Sequence, residues 1–162
     1  MNAPHNRGGL IILFTFALAF FLTVVQIPEW AREFRPAWCA LVLIYWCLAL
    51  PTRVGVGIAW LVGILLDIST GTLLGQHAMG LGIVAFITLK LHQRARVSPL
   101  WQQSLTVFLL LLMDNLLTLL IQGAVGRPAL LQLFWGPPLI GMLLWPAVYV
   151  ILRDLRRRFR IA

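Results

Sequence analysis

Gly63–Ala78 reads GILLDISTGTLLGQHA, and its one acid, Asp67, decides how the rest of the chain is read. Asp67 follows thirteen uncharged residues, Val54–Leu66. After it come Ser69-Thr70-Gly71-Thr72, a turn-rich stretch, and then Gly75-Gln76-His77 ahead of the next apolar run. Counting back from Asp67 in fours gives Gly63, Ala59 and Gly55, which share one stripe of a helix. Small residues at that spacing let another helix backbone approach closely in lipid. A carboxyl group above such a stripe is costly to hold unless protein or water covers it. That makes Asp67 a candidate functional group, with Ser69, Gly71, Gly75 and His77 around it.

Composition sets the class. The 162 residues are 60% hydrophobic and 11% charged, where a soluble domain carries about a quarter charged residues. Too few polar side chains remain to cover a water-facing surface, so the expectation is an all-α integral membrane protein. The net charge of +8 sits in loops and a tail rather than on one folded basic face, which argues against nucleic acid. Cys39 and Cys47 on one helix lie about 12 Å apart, too far for a disulfide, and read as small packing residues.

Six apolar runs predict six spans at about 9–27, 36–50, 53–70, 73–91, 100–122 and 138–152, followed by a basic tail, 153–162. The first is too long for a signal peptide and has no small-residue cleavage site before Pro28. Thr15, Ala19, Thr23 and Gln26 give it a weakly polar stripe. Pro51-Thr52-Arg53 makes a tight reversal. The third run is short, so its helix is extended through Asp67 to about Thr70; glycine content leaves a re-entrant half-helix as the other option. Lys90–Pro99 is expected as a basic loop, and Ala129–Trp135 as an apolar segment lying flat at an interface. Pro146 is expected to kink the last span.

Six spans place both termini on one side. With the termini cytoplasmic, ten of the thirteen bases lie inside, including Arg153, Arg156, Arg157, Arg158 and Arg160 of the tail. Arg32, Arg35 and Arg127 lie outside. This orientation puts Asp67 and a second lone acid, Asp114, in the outer half of the bilayer. Asp114, Thr118 and Gln122 share a stripe, with Asn115 beside it. These groups either satisfy one another and specify helix pairing, or line an outward cavity or partner contact. Of seven tryptophans, Trp30, Trp38 and Trp135 fit an outer belt and Trp46 and Trp101 an inner one; Trp60 and Trp145 read as packing residues. The tail is either a solvated anchor near anionic membrane lipids or a docking site for a cytoplasmic partner.

Catalytic signatures do not surface. There is no phosphate-binding glycine loop with lysine, no Gly-x-Ser-x-Gly elbow, no His-x-x-x-His and no Cys-x-x-Cys. His77 beside the Asp67 turn could relay a proton, but fits better as an interfacial hydrogen-bonder. Asp67 and Asp114 alone do not make an enzyme, and no cofactor or metal is expected.

The segment from Phe34 to Ala78 resembles the family of the bacterial rod-shape-determining protein MreD. The features are Phe34-Arg35-Pro36, then Tyr45-Trp46, Leu48-Ala49-Leu50-Pro51, Arg53-Val54, Val56-Gly57, Gly63, Leu66-Asp67, Ser69, Gly71, Leu74 and Gly75. Leu100-Trp101-Gln102-Gln103 and Leu144-Trp145-Pro146 are similar to that family too. The resemblance implies a non-enzymatic inner-membrane scaffold or regulatory subunit of the machinery that elongates rod-shaped cells and builds their peptidoglycan. It implies direct work with MreC and, through MreC, with MreB, RodA and RodA's partner transpeptidase. It also implies a compact bundle similar to the substrate-binding membrane subunits of vitamin transporters. That likeness keeps an alternative open, a subunit that binds a small solute or a lipid-linked precursor. On the first reading the Gly55, Ala59, Gly63 stripe packs within the bundle or against the MreC span, and Asp67, Ser69 and Gly71 shape an outer rim.

Overall fold

The six apolar runs become six α-helices in the computed structural model, which describes residues 4–127 and 135–161. They are α1 (Pro4–Val24), α2 (Trp38–Ala49), α3 (Val56–Thr70), α4 (Gln76–Val97), α5 (Leu100–Ala124) and α6 (Gly136–Arg158), with a 3₁₀ segment, Glu29–Phe34, between α1 and α2. No strand occurs among the described residues. α5 and α6 are long and apolar enough to cross a membrane; α2, α3 and residues 8–24 of α1 are shorter apolar helices. The segment expected to lie flat, Ala129–Trp135, falls outside the described residues except for exposed Trp135.

α2 is the centre. Ten of its twelve residues are buried, and Leu41, Leu43, Trp46 and Cys47 are wholly enclosed. A helix that is apolar all round suits a protein core or lipid; here α1, α4, α5 and α6 all pack on it. The α1 stripe faces it: Trp46 Nε1 donates to Thr15 Oγ1 at 2.9 Å, Ala19 is buried, and Thr23 Oγ1 lies 3.7 Å from Cys39 Sγ. Gln26 falls beyond the end of α1 and is exposed. Trp46 is therefore an interior hydrogen-bonded residue, not part of a belt. Trp60 departs the other way, 51% exposed on the outer side of α3.

Two helices run further than hydropathy suggested. α4 continues through Lys90–Val97 to Ser98-Pro99, and α6 takes in Arg153, Arg156, Arg157 and Arg158. Charge ends an apolar run but not a helix, since Lys, Arg, Leu and Gln are good helix formers. Pro146 sits inside α6.

One end of the bundle gathers the first turns of α1, the α2–α3 reversal and the end of the chain. A Cβ placed on Gly8 would meet Arg53 Nη1 at 2.8 Å and Ile161 Cγ2 at 3.2 Å. At the opposite end lie the α3–α4 connection, the 3₁₀ segment, the last turns of α5 and the start of α6.

α3 packs chiefly on α4, and the small residues make that possible. Ala59 and Gly63 are buried, and a Cβ on Gly63 would sit 2.5 Å from the Ala78 backbone nitrogen and 2.7 Å from the His77 carbonyl carbon. The two backbones touch there. Gly55 stands apart from this contact: it is the N-cap of α3 in an extended conformation, with no neighbour within 4 Å of its would-be Cβ. Gly63→Ala is expected to cost about 1–3 kcal/mol, as overpacking does, because backbone rather than a yielding side chain is in the way. Gly57→Ala, with open space around it, is expected to be neutral or stabilising by up to about 1 kcal/mol. Unfolding of the two purified variants side by side in detergent checks the pair of outcomes.

Candidate functional site

Asp67 joins two helix ends. Gly71 closes α3 in the left-handed conformation, φ 64°, and its N–H donates to the Asp67 carbonyl, as does the Thr72 N–H at 3.2 Å. The first turn of a helix leaves unpaired N–H groups and a positive dipole end. Gly75, at φ 100°, caps α4 without side-chain help from its own segment. The Asp67 carboxylate supplies that help from α3. Its Oδ2 accepts from Gly75 N–H at 2.8 Å and Ala78 N–H at 3.4 Å, and its Oδ1 accepts from His77 N–H at 2.9 Å and Thr72 Oγ1 at 2.9 Å. His77 Nδ1 lies 2.7 Å from Oδ1. A carboxylate only accepts, so Nδ1 carries the hydrogen and Nε2 faces away from the acid. The Asp67 side chain is wholly buried and that of His77 30% exposed.

Beside this junction, at the same end of the bundle, is a cavity of about 270 Å³. The 3₁₀ end supplies Arg32, Arg35 and Pro36; α3 supplies Leu66 and Thr70; α4, His77 and Leu81; α5, Asp114, Asn115 and Thr118; α6, Pro137. Arg35 Nη2 donates to the Val25 carbonyl at 3.2 Å, but its Nε is buried with no partner. Asp114 Oδ1 is buried with no partner either, and Gly80 leaves it room, since a Cβ there would run into that oxygen. Among the described residues these are the two buried side-chain polar atoms without a hydrogen bond, one donor and one acceptor, and both residues line the same cavity. Burial, and then the charge of Arg32, lowers the Arg35 pKa from its usual value; the guanidinium stays cationic.

The expected residues therefore separate into groups. Asp67, Gly71, Gly75 and His77 form one junction, and His77 also faces the cavity that holds Asp114 and Thr118. The proposed mutual satisfaction of the α5 polar groups does not extend to Asp114 Oδ1. Ser69 is exposed and donates to the Leu65 carbonyl of its own helix at 2.7 Å. Phe34 is exposed and Pro51 lies in the α2–α3 turn. Arg153, Arg157, Arg158 and Arg160 are exposed and Arg156 is half-buried; Arg153 and Arg156 also line a small pocket with Arg96. No group of three His, Cys, Asp or Glu side chains able to hold a metal occurs among the described residues.

The sequence profile of the family described as "rod shape-determining protein MreD" matches residues 6–155. A "Rod shape-determining protein MreD" from Haemophilus influenzae (strain ATCC 51907 / DSM 11121 / KW20 / Rd) is 34% identical over 154 residues, covering 93% of each chain. This chain belongs to the MreD family. No solved structure matches it.

Two stretches similar to that family meet in space in this MreD-family chain. Trp145 Nε1 of α6 donates to Gln103 Oε1 of α5 at 3.4 Å. Gln103 Nε2 in turn donates to the Ala95 carbonyl at 2.9 Å and the Ser98 carbonyl at 3.1 Å, closing the end of α4. Sequence reading passed over Arg32, Thr72, Gly80 and Gln103 as site or junction residues. The signals for Gln103 were its place in the family-like stretch Leu100–Gln103 and its uncharged polar side chain early in an apolar helix.

Asp67→Asn keeps the size of the side chain but turns one acceptor into a donor facing N–H groups. The expected loss is about 1–3 kcal/mol, the usual cost of unpaired buried donors. Thermal unfolding of the purified variant, with Ser69→Ala as a nearly neutral companion, tests this.

Proposed function

We propose that this chain is a non-enzymatic, multi-pass inner-membrane subunit of the cell-elongation machinery, with both termini cytoplasmic and MreC as its direct partner. Membership of the MreD family over residues 6–155 carries the reading. A membrane setting is supported by the apolar outer faces of the helices. Leu13, Phe14 and Phe21 of α1, Leu61 and Ile68 of α3, Leu109 and Leu120 of α5 and Leu143 and Ile151 of α6 are all exposed. Water does not tolerate so much contiguous apolar surface on a lone soluble chain. Exposed Trp30, Trp101 and Trp135 suit interfacial belts. The Ala59–Gly63 stripe is already occupied by α4, so a partner span would meet a different face. Links to MreB, RodA and its transpeptidase would then run through MreC.

The α3–α4 junction gives such a subunit a fixed outer corner. A second reading, a subunit that binds a small solute or lipid-linked precursor, is favoured by the cavity with its orphaned donor and acceptor. A likeness to vitamin-transporter subunits would go with that reading, though no solved structure matches the chain.

Tagged chain solubilised in mild detergent is expected to retain MreC through purification and to restore rod shape to cells depleted of their own copy. Restored shape without MreC retention contradicts the partner assignment. Saturable binding of a lipid-linked precursor, lost in Asp114→Ala, would instead favour the second reading.

A further inference from the structure

At the end of the bundle opposite the Asp67 junction, residues of α2, α4, α5 and α6 line a small, partly open pocket of about 30 Å³. Three guanidiniums line it, Arg96 from α4 and Arg153 and Arg156 from α6, together with the rings of Tyr45 and Tyr149. The Tyr45 phenol lies within electrostatic reach of all three arginines, and the Arg153 guanidinium lies 5.9 Å from the Tyr149 ring centroid. No acid lines the pocket, and no ion pair to these arginines occurs among the described residues. Asp154, the acid nearest in sequence, is exposed and not part of the lining.

Three like charges held around one space repel one another unless an anion lies between them. The space has room for about two or three waters, which is the size of a phosphate group. Guanidinium forks match phosphate oxygens in pairs, and Tyr45 and Tyr149 line the same space. The floor is fixed, because buried Gln103 ties the end of α4 to Trp145. We infer that Arg96, Arg153 and Arg156 form a binding site for a phosphate group. Two sources share this chemistry, the headgroup of an anionic phospholipid and a free phosphate. The site differs from a general attraction of the arginine-rich tail to acidic lipid, because one of its three cations comes from α4 and because Arg157 and Arg158 are not in it.

The test uses the full chain in neutral detergent, titrated separately with phosphatidylglycerol, phosphatidylcholine and inorganic phosphate, with thermal stability as the readout. Saturable stabilisation by phosphatidylglycerol but not by inorganic phosphate assigns a lipid headgroup. Saturable stabilisation by inorganic phosphate assigns a free phosphate. In either case Arg96→Gln and Arg156→Gln are expected to weaken the midpoint at least about tenfold, and Arg158→Gln to leave it unchanged. Arg96 is exposed, so its substitution leaves the fold standing if Arg156→Gln does not. The proposal is overturned if no probe saturates, if phosphatidylcholine stabilises as well as phosphatidylglycerol, or if Arg158→Gln weakens binding as much as Arg96→Gln.

Discussion

One buried carboxylate sets the geometry at one end of this bundle. Asp67 ends α3 through its carbonyl and begins α4 through its side chain, so a single residue fixes where two helices stop, start and face. Helix starts need an acceptor for their first N–H groups, and an oxygen from the neighbouring helix serves as well as a local cap. Because that oxygen is charged and enclosed, it is held by donors on several sides, and the His77 imidazole is among them. The close approach at Gly63 and Ala78 follows from the same constraint. If the start of α4 must reach a carboxylate one turn above Gly63, there is no space between the helices for a side chain.

The junction also explains the cavity. With its Nδ1 spent on Asp67, His77 presents its other edge to a space shared with Arg35 and Asp114. Those two residues keep a donor and an acceptor out of contact with protein, where nearly every other buried polar group is paired. The bundle thus has two polar ends of different character. One holds a buried acid in a fully paired junction beside a cavity lined by Arg35 and Asp114. The other holds cations around a small pocket, braced by the hydrogen bonds of Gln103. Between them α2 supplies a largely apolar core, in which Trp46 pairs with Thr15.

Much of the helical layout could be read from the sequence, for physical reasons. A lone acid followed by Ser-Thr-Gly marked the end of α3, and the left-handed turn at Gly71 is the conformation glycine permits. Small residues in steps of four marked a close helix contact, and Ala59 and Gly63 make it. The partner in that contact was not legible, since spacing tells how near a helix comes and not which helix it is. Nor did hydropathy show that α2 is central, because every run was apolar and lipid and protein look alike to such a pattern. The extensions of α4 and α6 were missed because charge was taken as a boundary. The pairing of Gln103 with Trp145 and the sharing of one cavity by Arg35 and Asp114 depend on long-range packing, which no local pattern records.

The central claim is that the Asp67 carboxylate holds the first N–H groups of α4. Amide hydrogen exchange at Gly75, His77 and Ala78 in the purified protein measures this most directly. The account predicts exchange as slow as in the interior of α2. Exchange as fast as that of an unbonded loop amide would contradict it.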